Sequence, residues 1–418
     1  MKSIRKKILI GLLSLVFVAS THANPKKTAQ LAKPVKMPET PNTLQTLAAN
    51  LSIAYLSQDQ AALPGLPFFL SQPIDAGLQG VRLGIADNNT TGRFTGQSYQ
   101  LKAIQLPMES DAATAFKLLV AEGYRHIIIN LPTEALAPLA KLPEAANVLI
   151  YDVGSSDDGL RGADCSANLL HLLPSRAMRA DALMQYLSKK RWQKIFLVTG
   201  PEMTDQQYAA AIKRAAQRFG VKIIAEKPWQ HSFEERRTPE SEIPVFTQGV
   251  DYDVLIVADE AGVFGDLFAY RTWQPRLVAG TQGLVPSAWH FTHEQWGALQ
   301  LQNRFRELAK RWMAEQDYAG WLAVRAIGES ASRVKSTDFA KIKGFMLGGE
   351  FALAGFKGVP LSFRPWDGQL RQPVLLATER SLVAVAPIEG FLHQKNALDT
   401  LGVDQQDSQC HKPRGGLN

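Results

Sequence analysis

HIIINLPTEALAPLAKLPEAANVLIYDV, residues 126–153, decides the fold. It holds two mainly apolar runs, His126–Leu131 and Val148–Val153, with a helical stretch, Thr133–Ala140, between them. Runs this short and this apolar predict strands buried on both faces, and a helix joining two such strands predicts a parallel pair with a crossover. Upstream, Ser52–Leu56 and Gln100–Leu106 are extended candidates, and Gln79–Asn88 and Asp111–Glu122 carry helical spacing. In the second helix Ala112, Ala115, Phe116, Leu119 and Val120 share one side.

The alternation breaks near residue 170 and then restarts. Leu169–Leu173 is extended, Ser175 is placed to cap a helix running to Lys190, and Lys194–Thr199 (KIFLVT) is a strand. A helix over Asp205–Phe219, closed by Gly220, leads to strands at Val221–Ala225, Val254–Ala258 and Leu277–Ala279. Two α/β units in series predict two open, doubly wound parallel sheets rather than a barrel. The last third mixes helices, over Glu294–Glu315, Tyr318–Arg333 and Asp338–Met346, with short strands at Pro360–Phe363, Pro373–Thr378 and Leu382–Val385. Asp367-Gly368 is a turn signal among them. Such material suits a chain that crosses back between two lobes.

Residues 1–23 read as a secretory signal: Lys2, Arg5, Lys6 and Lys7, an apolar run from Ile8 to Ala19, then small residues around Thr21 and Ala23. The expected location is the periplasm after cleavage. Residues 24–47, rich in lysine and proline, read as a disordered leader. Of the formal charge of +7, the signal contributes four and the leader three, so the folded body carries none. A body without net charge is not built to bind nucleic acid. Cys165 and Cys410 are the two cysteines. In an oxidising compartment an isolated pair is expected to bond, with two free thiols or a soft-metal site as the alternatives.

Gly80-Val81-Arg82-Leu83-Gly84-Ile85-Ala86-Asp87-Asn88 followed by Gly92-Arg93-Phe94, the helix Tyr318–Arg333, and Phe356-Lys357-Gly358 through Ser362-Phe363 to Asp367-Gly368 resemble segments of type I periplasmic binding proteins of the branched-chain amino-acid receptor kind. Longer strings, including PSRAMRADALMQYL (174–187), YRTWQPRLVAGTQGLVPSAWH (270–290) and FRPWDGQLRQPVLLA (363–377), resemble the substrate-binding subfamily that accompanies pyrroloquinoline quinone-dependent alcohol dehydrogenases. The resemblance implies an α/β fold of two doubly wound parallel-sheet lobes joined by a multi-crossover hinge. It implies partnership with an ABC permease and its ATPase, and a small ligand, with a lanthanide ion suggested by relatives. Lobe 1 is expected over 48–170 plus 285–335, lobe 2 over 171–284 plus 336–390, and a tail over 391–418 tied by the disulfide. A monomer is expected.

In two such lobes the ligand site lies at the carboxyl ends of the strands, where loops from both sheets face each other. The candidate ligand-binding residues are Thr133, Asp152, Ser155, Asp157, Asp158, Asp259 and Glu260. Asp157, Asp158, Asp259 and Glu260 give one acidic loop per lobe, a pattern that would suit a hard cation such as a lanthanide or calcium. The alternative reading makes them helix caps and solvated turns. An amino-acid ligand would use Thr133, Ser155 and Glu260, but the tyrosine-glycine pair usual in such receptors is replaced here by Gly200–Asp205, with Tyr208 inside the next helix. Asp87–Gly92 begins like a calcium loop, but Ser98 stands where the bidentate glutamate belongs. His171 reads as buried structure, His290 and His293 as packing with a metal pair as the alternative, and the late tryptophans as core and lobe contacts with a site for a planar aromatic ligand as the alternative. No phosphate loop, HExxH or full nucleophile elbow is present, so a binding protein is expected rather than an enzyme, with an amino-acid or small organic ligand receptor, or a non-transport accessory or sensor protein of the alcohol dehydrogenase system, as the alternatives.

Overall fold

The computed structural model describes residues 49–59, 73–230 and 239–410; the expected signal and leader lie outside them. The first unit runs β1 (Ala49–Gln58), α1 (Leu78–Thr95), β2 (Gln97–Leu106), α2 (Ala112–Ala121), β3 (His126–Asn130), α3 (Thr133–Leu139), β4 (Leu149–Asp152) and β5 (Leu169–His171). Its sheet has the order β2-β1-β3-β4-β5, with every pair parallel. The second unit runs α4 (Arg176–Lys190), β6 (Lys194–Thr199), α5 (Met203–Phe219), β7 (Lys222–Pro228), α6 (Pro239–Thr247), β8 (Val254–Ala258), α7 (Phe268–Arg271) and β9 (Leu277–Gly280). Its order is β7-β6-β8-β9, again all parallel.

Both sheets are buried on two faces, which is why their strands read as continuous apolar runs. Ile128 and Tyr151 pack on the side of α1 and the late helices, while Ile127, Ile129 and Ile150 pack with α2 and α3. Ile195, Leu197 and Ile256 pack with α4 and α5, while Phe196, Val198 and Val257 pack on the α6 and α7 side. Local signals set the helix ends. Asp111 caps α2 by accepting from the Ala113 and Thr114 amides. Ser175 caps α4 by accepting from Met178, and Gly220 ends α5 at φ +69°.

The remainder is β10 (Val285–Ser287), α8 (Ala298–Ala309), α9 (Glu315–Val334), α10 (Phe339–Met346), β11 (Leu353–Ala354), β12 (Pro360–Phe363), β13 (Leu370–Arg371), β14 (Val374–Thr378) and β15 (Ser381–Ala386). Four features differ from the sequence reading. Glu294–Glu315 is not one helix: α8 ends at Lys310, whose φ is +59°, because Arg311 turns aside to pair with Asp75 at 2.9 Å and Asp317 at 2.6 Å. The helix Pro239–Thr247 was not anticipated, since Pro244 lies inside it. Residues 336–390 do not pack as a block with the second unit. Ile342, Met346, Phe351, Leu353, Leu361 and Leu370 belong to the first unit's core, and only β14 and β15 join the second. β10, expected with the first lobe, pairs antiparallel with β14.

The chain passes between the two sheets near residues 172–175, 281–288 and 371–374, so the hinge has three strands of chain. Side chains tie them together. Gln372 donates to the Leu172 carbonyl at 2.5 Å and Gln369 to Leu173 at 2.9 Å. Beyond β15 the chain is anchored to α4: the buried Asp181 carboxylate accepts from Gly402 at 2.7 Å and pairs with Arg214 and Arg218. Cys165 and Cys410 are disulfide-bonded, with Cα atoms 5.7 Å apart. The bond closes a loop spanning 245 positions. Replacing both cysteines by serine should cost about 2–4 kcal/mol, read as a lower urea midpoint; an unchanged midpoint would mean that the tail is held by its polar contacts alone.

Candidate functional site

The carboxyl ends of β4 and β8 face one another across the start of α4. The β4 exit is a tight turn organised by Asp152, which is fully buried. One carboxylate oxygen accepts from the Gly154 and Ser155 amides at 3.1 and 2.9 Å, and the other meets His171 Nδ1 at 2.9 Å. Ser155 and Thr133 share a hydroxyl contact of 2.8 Å, which ties the β3 exit to the β4 exit. Asp157 accepts from the Gly159 amide at 2.8 Å, and Asp158 accepts from the Ala177 amide at 3.1 Å, joining the first lobe's loop to α4.

Across from them, Asp259 also builds a turn. Its two oxygens accept from Val263, Phe264 and Gly265 at 2.9, 3.0 and 2.6 Å. Glu260 is the acid that points to the other lobe. It pairs with Arg176 Nε at 2.7 Å, while Arg176 Nη1 pairs with Asp157 at 2.8 Å. One guanidinium therefore links a carboxylate from each lobe. One turn on, Arg179 makes a two-pronged pair with Glu315, at 3.1 and 2.8 Å, and donates to the Pro286 carbonyl at 2.8 Å. Burial raises the Glu260 carboxyl above the ordinary glutamate range, with Arg176 pulling the other way.

The cation reading fails on this geometry. Asp259 has spent its oxygens on backbone amides, Asp158 holds the start of α4, and Asp157 and Glu260 are separated by the guanidinium they share. Among the described residues no group of three or more His, Cys, Asp or Glu is placed to hold a metal ion. Of the two sequence readings, Asp158 and Asp259 follow the caps and turns, while the arginine shared by Asp157 and Glu260 lies on another element and was not anticipated.

Arg176 and Arg179 were missed, although a signal existed. Two arginines in the first turn of a helix sit at the positive end of its dipole, an unfavourable place for a cation unless carboxylates meet it there. Tyr208 and Thr199 were also missed as a pair. Both are buried, both face the α4–α5 side of the second sheet, and neither hydroxyl has a hydrogen-bond partner among the described residues. Burial, then the charge on Glu260, pushes the Tyr208 phenol above its usual range, so it stays a neutral donor.

Lys357 lies beneath this floor, 4% exposed, donating to Gln372 Oε1 at 2.9 Å and the Pro373 carbonyl at 2.8 Å with the Tyr318 ring 4.9 Å away. Burial lowers its pKa from 10.5 to about 7, partly opposed by the charge on Glu315. Two acceptors match the two N–H groups of a neutral amine. Between pH 7 and 10.5 the unfolded chain binds this proton and the folded chain does not, so its contribution raises stability with pH across that window and loses it as pH falls toward 7. The stability difference between the wild type and Lys357→Met should therefore change with pH between 7 and 9; a pH-independent difference would contradict a neutral Lys357.

The other candidates are structural. Asp87 lies within α1, paired with Arg304 and accepting from Trp321. His293 binds the Phe356 carbonyl at 2.8 Å, and His290 contacts Thr292 at 2.7 Å. Trp289 is buried and stacked on Tyr318 at 4.5 Å.

A periplasmic binding protein family matches residues 73–233. No curated protein matches the chain. Among solved structures, a branched-chain amino-acid ABC transporter periplasmic ligand-binding protein from Burkholderia xenovorans has a TM-score of 0.67 at 14% identity, covering 86% of this chain and 99% of its own. A periplasmic binding protein from Burkholderia mallei has a TM-score of 0.63 at 14% identity, covering 87% and 99%. An ABC transporter solute-binding protein of R. palustris, in complex with benzoate, has a TM-score of 0.59 at 12% identity, covering 87% and 100%. Two parallel-sheet lobes with this likeness define the type I periplasmic binding protein fold.

Proposed function

We propose that this chain is the periplasmic solute-binding component of an ABC-type transport system, gripping a small solute between its lobes and presenting it unchanged to a permease and its ATPase. The observation that carries this is the meeting of the β4 and β8 exits on Arg176, at the hinge between two comparable sheets. The same geometry speaks for an uncharged solute. Every acid of the floor is already matched by an arginine or by backbone amides, and both arginines are matched by acids. An ammonium or carboxylate entering here would be desolvated without an opposite charge to meet it. Tyr208 and Thr199 remain to bind oxygen atoms of a ligand, and such buried unpaired hydroxyls are costly without one. The strings resembling the alcohol dehydrogenase-associated subfamily support placing this receptor beside quinone-dependent alcohol oxidation.

Equilibrium dialysis of the mature protein against a small-molecule cell extract, followed by mass spectrometry of what is retained, tests the reading. The expected outcome is one uncharged solute, recovered at its original mass and retained about tenfold less by Tyr208→Phe, the loss of one hydrogen bond. Retention of nothing, of a free amino acid, or of a chemically altered compound would refute it.

A further inference from the structure

After β15 the chain runs first along the second unit. The Ile388 amide donates to Gln185 Oε1 at 2.9 Å, Gln185 Nε2 donates to Thr400 Oγ1 at 3.2 Å, and Leu401 lies in the core that α4 shares with the second sheet. Gly402 is then held through both its backbone groups. Its amide donates to Asp181 of α4 at 2.7 Å, and its carbonyl accepts from Arg218 of α5 at 2.8 Å.

Eight positions on, the chain reaches the first unit. Cys410 is bonded to Cys165, in the loop between β4 and β5. That loop is fastened to the end of α3: Ser166 Oγ donates to the Ala140 carbonyl at 3.0 Å, and Lys141 pairs with Asp164 at 2.7 Å. Leu160 and Leu169, on either side of Cys165, lie in a core of the first unit. Residues 402–410 therefore pass from one unit to the other, a fourth passage beside those near 172–175, 281–288 and 371–374, and its far end is made fast by a covalent bond.

The passage is not slack. Asp404 accepts from the Gln405 amide at 2.6 Å at the start of a short turn, Gln405–Asp407, and Ser408 Oγ accepts from the Cys410 amide at 3.2 Å. Eight extended residues could span about 28 Å; folded in this way they reach less far, and lengthening them means unwinding the turn. The earlier part of the tail is held at the pivot, where Asp399 meets Arg364 at 3.0 Å and Arg371, beside the third crossing, at 2.8 Å. We propose that residues 402–410 are a brace across the hinge, and that the Cys165–Cys410 bond limits how far the two lobes part. Both cysteines are buried, so this is a standing brace and not a redox switch. For the receptor proposed above, an open state held within a limit leaves less freedom to lose on closing; the brace itself does not rest on that reading.

Pulsed electron resonance tests it on the mature protein with no solute present, so the result stands whether or not a solute is found. Spin labels carried on p-acetylphenylalanine in place of the exposed Glu134 and Met203 leave the native cysteines alone. Two variants loosen the brace in different ways. Cys165→Ser/Cys410→Ser removes the bond. Six glycine and serine residues inserted between Gln406 and Asp407, both exposed, keep the bond and add up to about 20 Å of reach. In each, the longest separations should exceed the wild-type limit by roughly 5 Å or more, well within the reach that the insertion adds. The insertion keeps the test open should the serine variant fail to fold. A distance distribution that superimposes on the wild type's in either folded variant would overturn the proposal.

Discussion

Gly80→Ala should abolish the native fold or lower the melting temperature by on the order of 10 °C. A Cβ at Gly80 would stand 1.7 Å from the Asp317 carbonyl oxygen and 2.4 Å from its carbon. Both are backbone atoms of α9, so no side chain can swing away, and the two helices must separate. Their approach is fixed from the other side by Asp317, which accepts from the Gly77 amide at 2.9 Å, and by Gly320, whose own Cβ would meet the Gly77 carbonyl at 2.6 Å. Overpacking that only backbone movement relieves belongs to the extreme of point-mutant effects, about 4 kcal/mol or more. Gly349→Ala is the control. Nothing lies within 4 Å of its Cβ position, and the melting temperature should not move. A Gly80→Ala protein as stable as the wild type would mean that α1 and α9 do not pack this closely.

Arg364→Met should have the next largest effect, about 3–5 kcal/mol. Arg364 is 1% exposed, the largest fully buried side chain described. It donates to Asp399 at 3.0 Å and to the Leu401 carbonyl at 2.6 Å, with Asp367 at 3.6 Å. Methionine keeps the volume but leaves buried acceptors facing a thioether. Lysine should restore little of the loss, because one ammonium cannot reproduce a planar fork that reaches a carboxylate and a carbonyl together. Urea denaturation measures both variants. A loss below about 1 kcal/mol would place the pair among ordinary surface contacts and remove Arg364 as the anchor of the tail.

The fold was legible where burial is symmetric. HIIINL, VLIYDV, KIFLVT and VLIVA are apolar on both faces because helices cover both, and each became a parallel strand. Lobe membership of the last third was not legible, because two-residue strands such as Leu353–Ala354 and Leu370–Arg371 carry no mark of the sheet they pack beneath. The site was legible in place but not in chemistry. Thr133, Ser155, Asp157 and Glu260 do gather at the strand exits. The sequence shows acids but not their partners. Asp259 reads equally as a ligand or as a cap until three amides are seen converging on it, and Arg176 lies 84 positions from Glu260.

A receptor that grips its solute closes two lobes over it, and the distance between them is the quantity to measure. Spin labels at the exposed positions Glu134 and Met203, at the starts of α3 and α5, report it by pulsed electron resonance. Adding the solute retained in dialysis should collapse a broad distance distribution to one short separation. A distribution identical with and without saturating solute would contradict closure, and with it the reading of the chain as a gripping receptor.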